Sequence, residues 1–192
     1  LADKLVLSKV RDVVGGSKNF FSAGGAPLSK DIEEFFFAAG LLVCEGYGLT
    51  ETSPMVTFNT PKAFKFGTVG KPIIDCQVKI AEDGEIFARG PQIMQGYWND
   101  PDATAESVDQ DGWLHTGDLG FIHQGHIYIS GRMKDLIILN GRNYYPQSIE
   151  WEVEHVDGIR RGNVVAFSTR GDDSEQLVVV AETREDDRQR RL

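Results

Sequence analysis

Apolar and polar positions along the chain change period repeatedly, and the changes mark the elements. Asn19-Phe20-Phe21-Ser22-Ala23 is an apolar-rich run that predicts a buried strand, and Gly24-Gly25-Ala26-Pro27 behind it is turn-forming. A helix is expected from Ser29, a favourable N-cap, with Asp31, Glu33 and Glu34 complementing its N-terminal dipole. Ile32, Phe35, Phe36 and Ala39 fall on one face at helical spacing, and Gly40 closes the helix. Leu41-Leu42-Val43-Cys44 lacks alternation, as expected of a strand covered on both faces, and runs directly into Gly46-Tyr47-Gly48. This strand–helix–strand order predicts an α/β layer.

From Gly67 the pattern becomes that of antiparallel β. Cys76-Gln77-Val78-Lys79-Ile80 alternates, Glu82-Asp83-Gly84 turns, and Glu85-Ile86-Phe87-Ala88-Arg89 returns. Asp100-Pro101 starts a short helix through Ala105, with Asp as cap and Pro at the first helical position. Gly112 to Leu119 and His126 to Ser130 predict two neighbouring strands joined by a tight turn at Gln124-Gly125. Leu136 to Leu139, an Asn140-Gly141 turn and a helix entered at Pro146 follow. Ile149, Val153 and Val156 line that helix's apolar face, and Gly158 ends it. Val164 to Ser168 and Leu177 to Ala181 form a hairpin-like pair around Gly171-Asp172-Asp173. The fold class is therefore α/β, mixed α+β, with an α/β layer followed by antiparallel sheet.

Composition narrows the partners. Twenty-nine acidic against 20 basic residues give a net charge of −9, which excludes a nucleic-acid partner because phosphate backbones require clustered Lys and Arg. The one basic cluster, Arg188, Arg190 and Arg191, stands beside Asp186 and Asp187. Cys44 and Cys76 both lie in apolar runs and read as buried free thiols in a reducing compartment, hence a cytoplasmic location. No apolar run approaches membrane-spanning length, so no integral membrane segment is expected. A start at Leu1 without a signal peptide and a charged end read as a fragment of a longer chain.

Candidate chemistry concentrates near the end of the first predicted strand of the Gln124-Gly125 hairpin. Asp118 and Arg132 should reach the same edge of a sheet, one from each strand. An ionised Asp has acceptors only and can take two hydroxyl protons at once, which suits the cis-diol of a ribose. Arg adds fixed donors for ribose or phosphate oxygens. A plain surface pair contributing little is the alternative reading. Upstream, Gly46-Tyr47-Gly48-Leu49-Thr50-Glu51 follows a buried strand, where α/β folds place ligands, and its glycines allow close backbone approach. A Gly-rich turn with Thr50 capping a helix would look similar.

Thr116-Gly117-Asp118-Leu119, Gly131-Arg132-Met133-Lys134-Asp135 and the Gly46–Glu51 run, in this order and spacing, resemble the adenylate-forming enzymes. That superfamily includes acyl-CoA synthetases, fatty-acyl-AMP ligases, peptide-synthetase adenylation domains and beetle luciferases. The resemblance extends from about Asn19 to about Thr183. It implies that Tyr47 packs on adenine, the Thr50 hydroxyl contacts phosphate and the Glu51 carboxylate holds Mg²⁺ as a hard oxygen ligand. Thr50 and Glu51 are thus the expected catalytic pair. Gly24, Gly25 and Ala26 resemble the loop lying against nucleotide and carboxylate, so the nucleotide set comprises Gly24, Gly25, Ala26, Gly46, Tyr47, Gly48, Thr50, Asp118 and Arg132. Gly67 to Pro72 and Gly96-Tyr97-Trp98 also match family segments and read as structural. Trp98 and Trp113 read as core aromatics, and His115, His123, His126 and His155 receive no catalytic role.

The resemblance also divides the chain. Residues 1–131 correspond to the C-terminal portion of the large AMP-binding domain and 132–192 to the start of the small domain, with a hinge at Lys134. Gly141 stands where a small-domain loop meets the pantetheine of CoA, although Asn-Gly is equally a preferred hairpin turn. The family's phosphate loop should precede residue 1 and its adenylating lysine should follow residue 192. Gly15-Gly16-Ser17-Lys18 lies too close to Gly24 to be that loop. The implied activity is ATP- and Mg²⁺-dependent activation of a carboxylic, fatty acid to an acyl-adenylate, followed by transfer to CoA. Loading of an acyl carrier protein is the alternative, because Gly141 to Glu150 resembles fatty-acyl-AMP ligases. Against it, only 15 residues separate Glu51 from Gly67, leaving no room for the insertion those enzymes carry. A non-catalytic nucleotide-binding module and a luciferase-like oxygenase are the remaining readings.

Overall fold

The computed structural model describes residues 6–16, 18–139, 141–170 and 175–183. The chain divides into two compact units, Leu1–Thr116 with Gly120–Ile129, and Gly117–Leu119 with Ser130–Leu192. Ser17, Asn140, Gly171 to Asp173 and the terminal cluster from Asp186 to Arg191 lie outside the described residues.

The first unit opens with helix α1 (Ser8–Val13), strand β1 (Phe21–Ala23), helix α2 (Lys30–Ala38) and strand β2 (Val43–Tyr47). β1 pairs in parallel with β2, from Phe21 opposite Val43 to Ala23 opposite Glu45, so α2 is a parallel crossover as expected. β2 then pairs antiparallel with β3 (Thr57–Phe58), and β3 with β4 (Lys71–Pro72). β2 runs later than its apolar sequence suggested. Gly46 and Tyr47 are ladder residues opposite Phe58 and Thr57, whereas Leu41 finishes the helix by donating its N–H to the Phe36 carbonyl at 2.8 Å. Together with the Gly40 N–H on Phe37 O and a Gly40 φ of +80°, this is a Schellman cap.

Two expectations for this layer need correction. β1 is not buried: Ser22 is exposed and Phe20 largely so, because this short strand is the edge of its sheet in the order β1-β2-β3-β4. The apolar stripe of α2 is buried only in part: Ala39 is buried and Phe36 half-buried, whereas Ile32 and Phe35 are exposed, and Glu33, off the stripe, is buried at 1% exposure. Glu33 is drawn in because its Oε2 accepts the Gly67 N–H at 2.6 Å, while Phe37 clusters with the rings of Phe64 and Phe66. Ser29 occupies the N-cap position, but its side chain makes no capping bond.

A second sheet runs β5 (Gln77–Ile80), β6 (Glu85–Arg89), β7 (Leu114–His123), β8 (His126–Arg132), in that spatial order. The β5–β6 hairpin turns at Gly84, φ +90°, and β7–β8 turns where Gln124 and Gly125 both have positive φ, 53° and 77°. Helix α3 (Pro101–Ser107) starts as expected, with the Asp100 carboxylate accepting the Ala103 N–H at 3.0 Å. The core comprises Val56, Cys76 and Ala88 on one side and Val69, Ile86 and Ile127 on the other, and Tyr47 and Val78 pack against both. Trp98 does not belong to it: at 91% exposure it projects from the loop before α3, because Tyr97 beside it bonds back to Thr104 and Glu51. Trp113 is half-buried, with the Lys79 ammonium 4.1 Å above its ring.

In the second unit, β9 (Ile137–Leu139) and β10 (Arg142–Tyr144) form a hairpin, followed by helix α4 (Pro146–Glu154) and the long antiparallel pair β11 (Ile159–Arg170) and β12 (Glu175–Thr183). α4 is tied to β11 by its own carboxylates. Glu150 Oε1 accepts the Ala166 N–H at 2.9 Å and Glu154 Oε1 that of Gly162 at 2.7 Å. Ile149 and Val153 are half-buried on this helix, whereas Val156, beyond its end, is exposed.

Candidate functional site

In the first unit the sheet brings two glycine turns into contact. β1 ends at Gly24 and β2 at the Gly46-Tyr47-Gly48 run, and a Cβ added at Gly24 would lie 2.9 Å from the Gly46 carbonyl oxygen. One at Gly46 would lie 2.8 Å from the Phe58 ring, and one at Gly48 would overlap the Pro54 carbonyl. These glycines are required by packing. Gly25, at φ +82° with open space around it, is required by its backbone angle alone. Ala26 is exposed in the same turn.

After Gly48 the chain enters a single 3₁₀ turn, Thr50–Thr52. Its start is fixed by the buried Thr52, whose hydroxyl accepts the Leu49 N–H at 2.9 Å and donates to the Leu49 carbonyl at 3.0 Å. Thr52, and not Thr50, does the capping, which leaves Thr50 exposed. Glu51 is half-buried. Its Oε1 accepts the Tyr97 hydroxyl at 2.8 Å, and its main-chain carbonyl accepts the Met94 N–H at 2.8 Å. The Glu51 carboxylate beside the Tyr97 phenol holds the phenol's pKa above its ordinary value.

Beneath these turns lie two buried acids. Glu45, in β2, is 5% exposed and accepts the Leu28 N–H at 3.3 Å, tying down the far end of the Gly24 turn. Burial, then the neighbouring charge of Glu33, push its carboxyl up to about 7. Burial is also the main cause raising Glu33 and the Cys44 thiol. Sequence reasoning passed over Glu45. Its one signal was an acid directly after the apolar Leu41-Leu42-Val43-Cys44 run.

In the second unit, Asp118 is buried with its side chain 6% exposed, and its Oδ1 accepts from Arg132 Nε at 3.0 Å. The Arg132 side chain is half exposed, so the pair joins a fixed carboxylate to an accessible guanidinium. Gly117 before the Asp has φ +69°, and Gly131 before the Arg is pressed against the Tyr145 ring. Lys134 is exposed in the 3₁₀ turn Met133–Asp135. Gly141 is exposed at φ +73° with nothing within 4 Å of an added Cβ. Among the described residues no group of three His, Cys, Asp or Glu forms a metal cluster. The His115 ring lies 4.0 Å from that of Phe87 at a tilt of 39°, and its Nδ1 is 3.7 Å from Glu85 Oε2. No helix among the described residues is long and apolar enough to cross a membrane.

Residues 2–98 match the sequence profile of the AMP-binding enzymes. The chain belongs to that family. Among curated proteins, this AMP-binding chain is 44% identical over 152 residues to a putative fatty-acid–CoA ligase, fadD11, of Mycobacterium tuberculosis, covering 78% of the chain and 27% of that protein. It is 41% identical over 164 residues to the long-chain-fatty-acid–CoA ligase ACSBG1 of Bos taurus, covering 80% of the chain and 22% of that protein. The chain therefore spans about a quarter of the length of the curated relatives it matches. Among solved structures, ATP-bound MatB from Rhodopseudomonas palustris matches with a TM-score of 0.75 and 33% identity, over 84% of this chain and 35% of that one. The o-succinylbenzoate CoA synthetase MenE of Bacillus subtilis, with ATP and magnesium, matches with a TM-score of 0.78 and 28% identity, over 93% and 40%. The expected mixed α/β architecture agrees with both.

Proposed function

We propose that this chain supplies the nucleotide-handling part of an AMP-forming fatty acid–CoA ligase. The observation that carries the reading is the buried Asp118 carboxylate fixed at 3.0 Å by Arg132. A desolvated, oriented carboxylate is what a ribose diol requires, and a half-exposed guanidinium beside it suits an anionic substrate. The relatives' names support the acid as fatty and the acceptor as CoA.

In this reading Gly24, Gly25 and Ala26 with Gly46, Tyr47 and Gly48 form the floor against which the nucleotide lies, and Thr50 donates to phosphate. Glu51 fits a magnesium ligand: its carboxylate is met by a neutral phenol, and among the described residues no cation pairs with it. When bound, Mg²⁺ supplies neutralisation of phosphate charge. The acid's carboxylate oxygen attacks the α-phosphate of ATP, pyrophosphate leaves, and the CoA thiol then takes the acyl group from AMP. Catalysis of the first step is positioning and charge neutralisation. Residues 1–131 and 132–192 act as the large-domain and small-domain portions. Lys134 is the hinge that exchanges the adenylating for the thiolating pose, and Gly141 gives clearance to pantetheine. The two buried free thiols, Cys44 and Cys76, suit a reducing, cytoplasmic setting.

The test is a product assay on this chain completed by the parts its relatives carry outside the matched stretch. With ATP, Mg²⁺, a long-chain fatty acid and CoA it should yield acyl-CoA, AMP and pyrophosphate. Acyl-AMP that accumulates and is discharged only by a carrier protein would overturn the CoA assignment. Light with CO₂ would point to oxygenase chemistry, and failure to consume ATP to a non-catalytic module. The 192-residue chain alone should release no pyrophosphate.

A further inference from the structure

We infer that Tyr97 is a positioning residue for the Glu51 carboxylate, holding one of its oxygens so that the other is presented to the divalent cation that accompanies ATP. The inference rests on the assignment of Glu51 proposed above and goes beyond it, because Tyr97 lies 46 positions away in another loop.

Four hydrogen bonds make the geometry a brace and not a chance encounter. The Tyr97 hydroxyl donates to Glu51 Oε1 at 2.8 Å. Three residues earlier in the same segment, the Met94 N–H donates to the Glu51 carbonyl at 2.8 Å, so both the side chain and the backbone of Glu51 are held from one side. Tyr97 is itself anchored. Its N–H donates to Thr104 Oγ1 at 2.9 Å, and that hydroxyl donates to the Asp100 carbonyl at 2.7 Å, which locks the tyrosine to α3. Gly96 is required there, since a Cβ would meet the Thr104 side chain at 2.9 Å. The rigid end of this chain of contacts is a capped helix, and its free end is a carboxylate.

A phenol is suited to the task. It is neutral, so it fixes a carboxylate oxygen without competing for the charge that the cation must meet, whereas a Lys or Arg at this position would neutralise the ligand. A rigid ring also loses little conformational freedom on being ordered. Without the hydroxyl, Glu51 would have to be ordered by the cation itself, and the affinity for the metal would fall.

The experiment is a titration of the chain with ATP, with and without Mn²⁺, following bound Mn²⁺ by electron paramagnetic resonance. The wild type should bind ATP more tightly with Mn²⁺ than without it. Tyr97→Phe should lose about tenfold of that increment, the worth of one charge-assisted hydrogen bond, while metal-free ATP affinity stays unchanged. Thr104→Val, which leaves the phenol in place but frees its backbone, should lose less of the same increment. Glu51→Gln should lose most of it. Metal dependence that is unchanged or stronger in Tyr97→Phe, with Glu51→Gln impaired, overturns the role of Tyr97 and leaves Glu51 standing. Equal loss of metal-free ATP binding in Tyr97→Phe and Thr104→Val would make Tyr97 a purely structural residue. A wild type with no Mn²⁺ increment overturns the assignment of Glu51 and this inference with it.

Discussion

Two sets of glycines in this chain are required by different physics. Gly24, Gly46 and Gly48 are crowded: the Gly46 carbonyl, the Phe58 ring and the Pro54 carbonyl stand where their side chains would be. Gly25 and Gly141 have open space around them and left-handed backbones, φ +82° and +73°. The crowded set lets two chain turns approach each other, and the open set only lets the chain turn. Sequence cannot tell them apart, because a Gly-Gly or Asn-Gly pair reads as a turn in either case. Their tolerance to substitution should therefore differ widely.

The largest effect is expected at Gly48→Ala. The new methyl must displace the Pro54 carbonyl backbone, which no side-chain rotation can relieve. Overpacking of this kind costs about 3 kcal/mol or more, so a clearly lowered thermal midpoint and weakened nucleotide binding are expected together. A midpoint equal to wild type would dissolve the distinction between the two sets.

Next is the acid beneath the crowded turns. The Glu45 carboxyl is raised from 4.5 to about 7, so between those values the folded state holds a proton that the unfolded state has released. Stability should fall as pH rises from 4.5 to 7 and level off above, a contribution on the order of 3 kcal/mol. Glu45→Gln keeps an acceptor for the Leu28 N–H and removes the titration. Denaturant melts across that pH range should show the slope flattened in the variant. A slope retained in full would place the titration elsewhere, on the neighbouring Glu33, whose carboxyl burial also raises.

The smallest effect is expected at Gly141→Ala. An alanine at φ +73° costs roughly 1 kcal/mol of backbone strain with no clash. ATP affinity of the chain should not change. A loss as large as that of Gly48→Ala would mean that the open set is crowded after all by what binds there.

The elements of this fold were legible wherever a local signal decides them. The β5–β6 hairpin, the Asp-Pro start of α3, the Gln124-Gly125 turn and the Asp118–Arg132 pairing all depend on turn chemistry or period two, which sequence carries directly. What failed was decided by distant partners. Glu33 is buried because the Gly67 amide needs an acceptor, and Trp98 is exposed because Tyr97 beside it turns toward Thr104 and Glu51. Glu45 receives no assignment from sequence, and Tyr97 only a structural one, for the same reason. Each takes its importance from one hydrogen bond to a segment far away in sequence, and no periodicity records it.

The most direct test of the central claim is a calorimetric ATP titration of the chain beside its Asp118→Ala variant. The account predicts measurable binding by the wild type and a loss of roughly ten- to a hundredfold in the variant, the worth of a hydrogen bond to a charged group. Thermal midpoints taken in parallel separate lost binding from lost folding. Equal affinity in two folded proteins would contradict the account, since Asp118 would then be only the buried half of an ion pair.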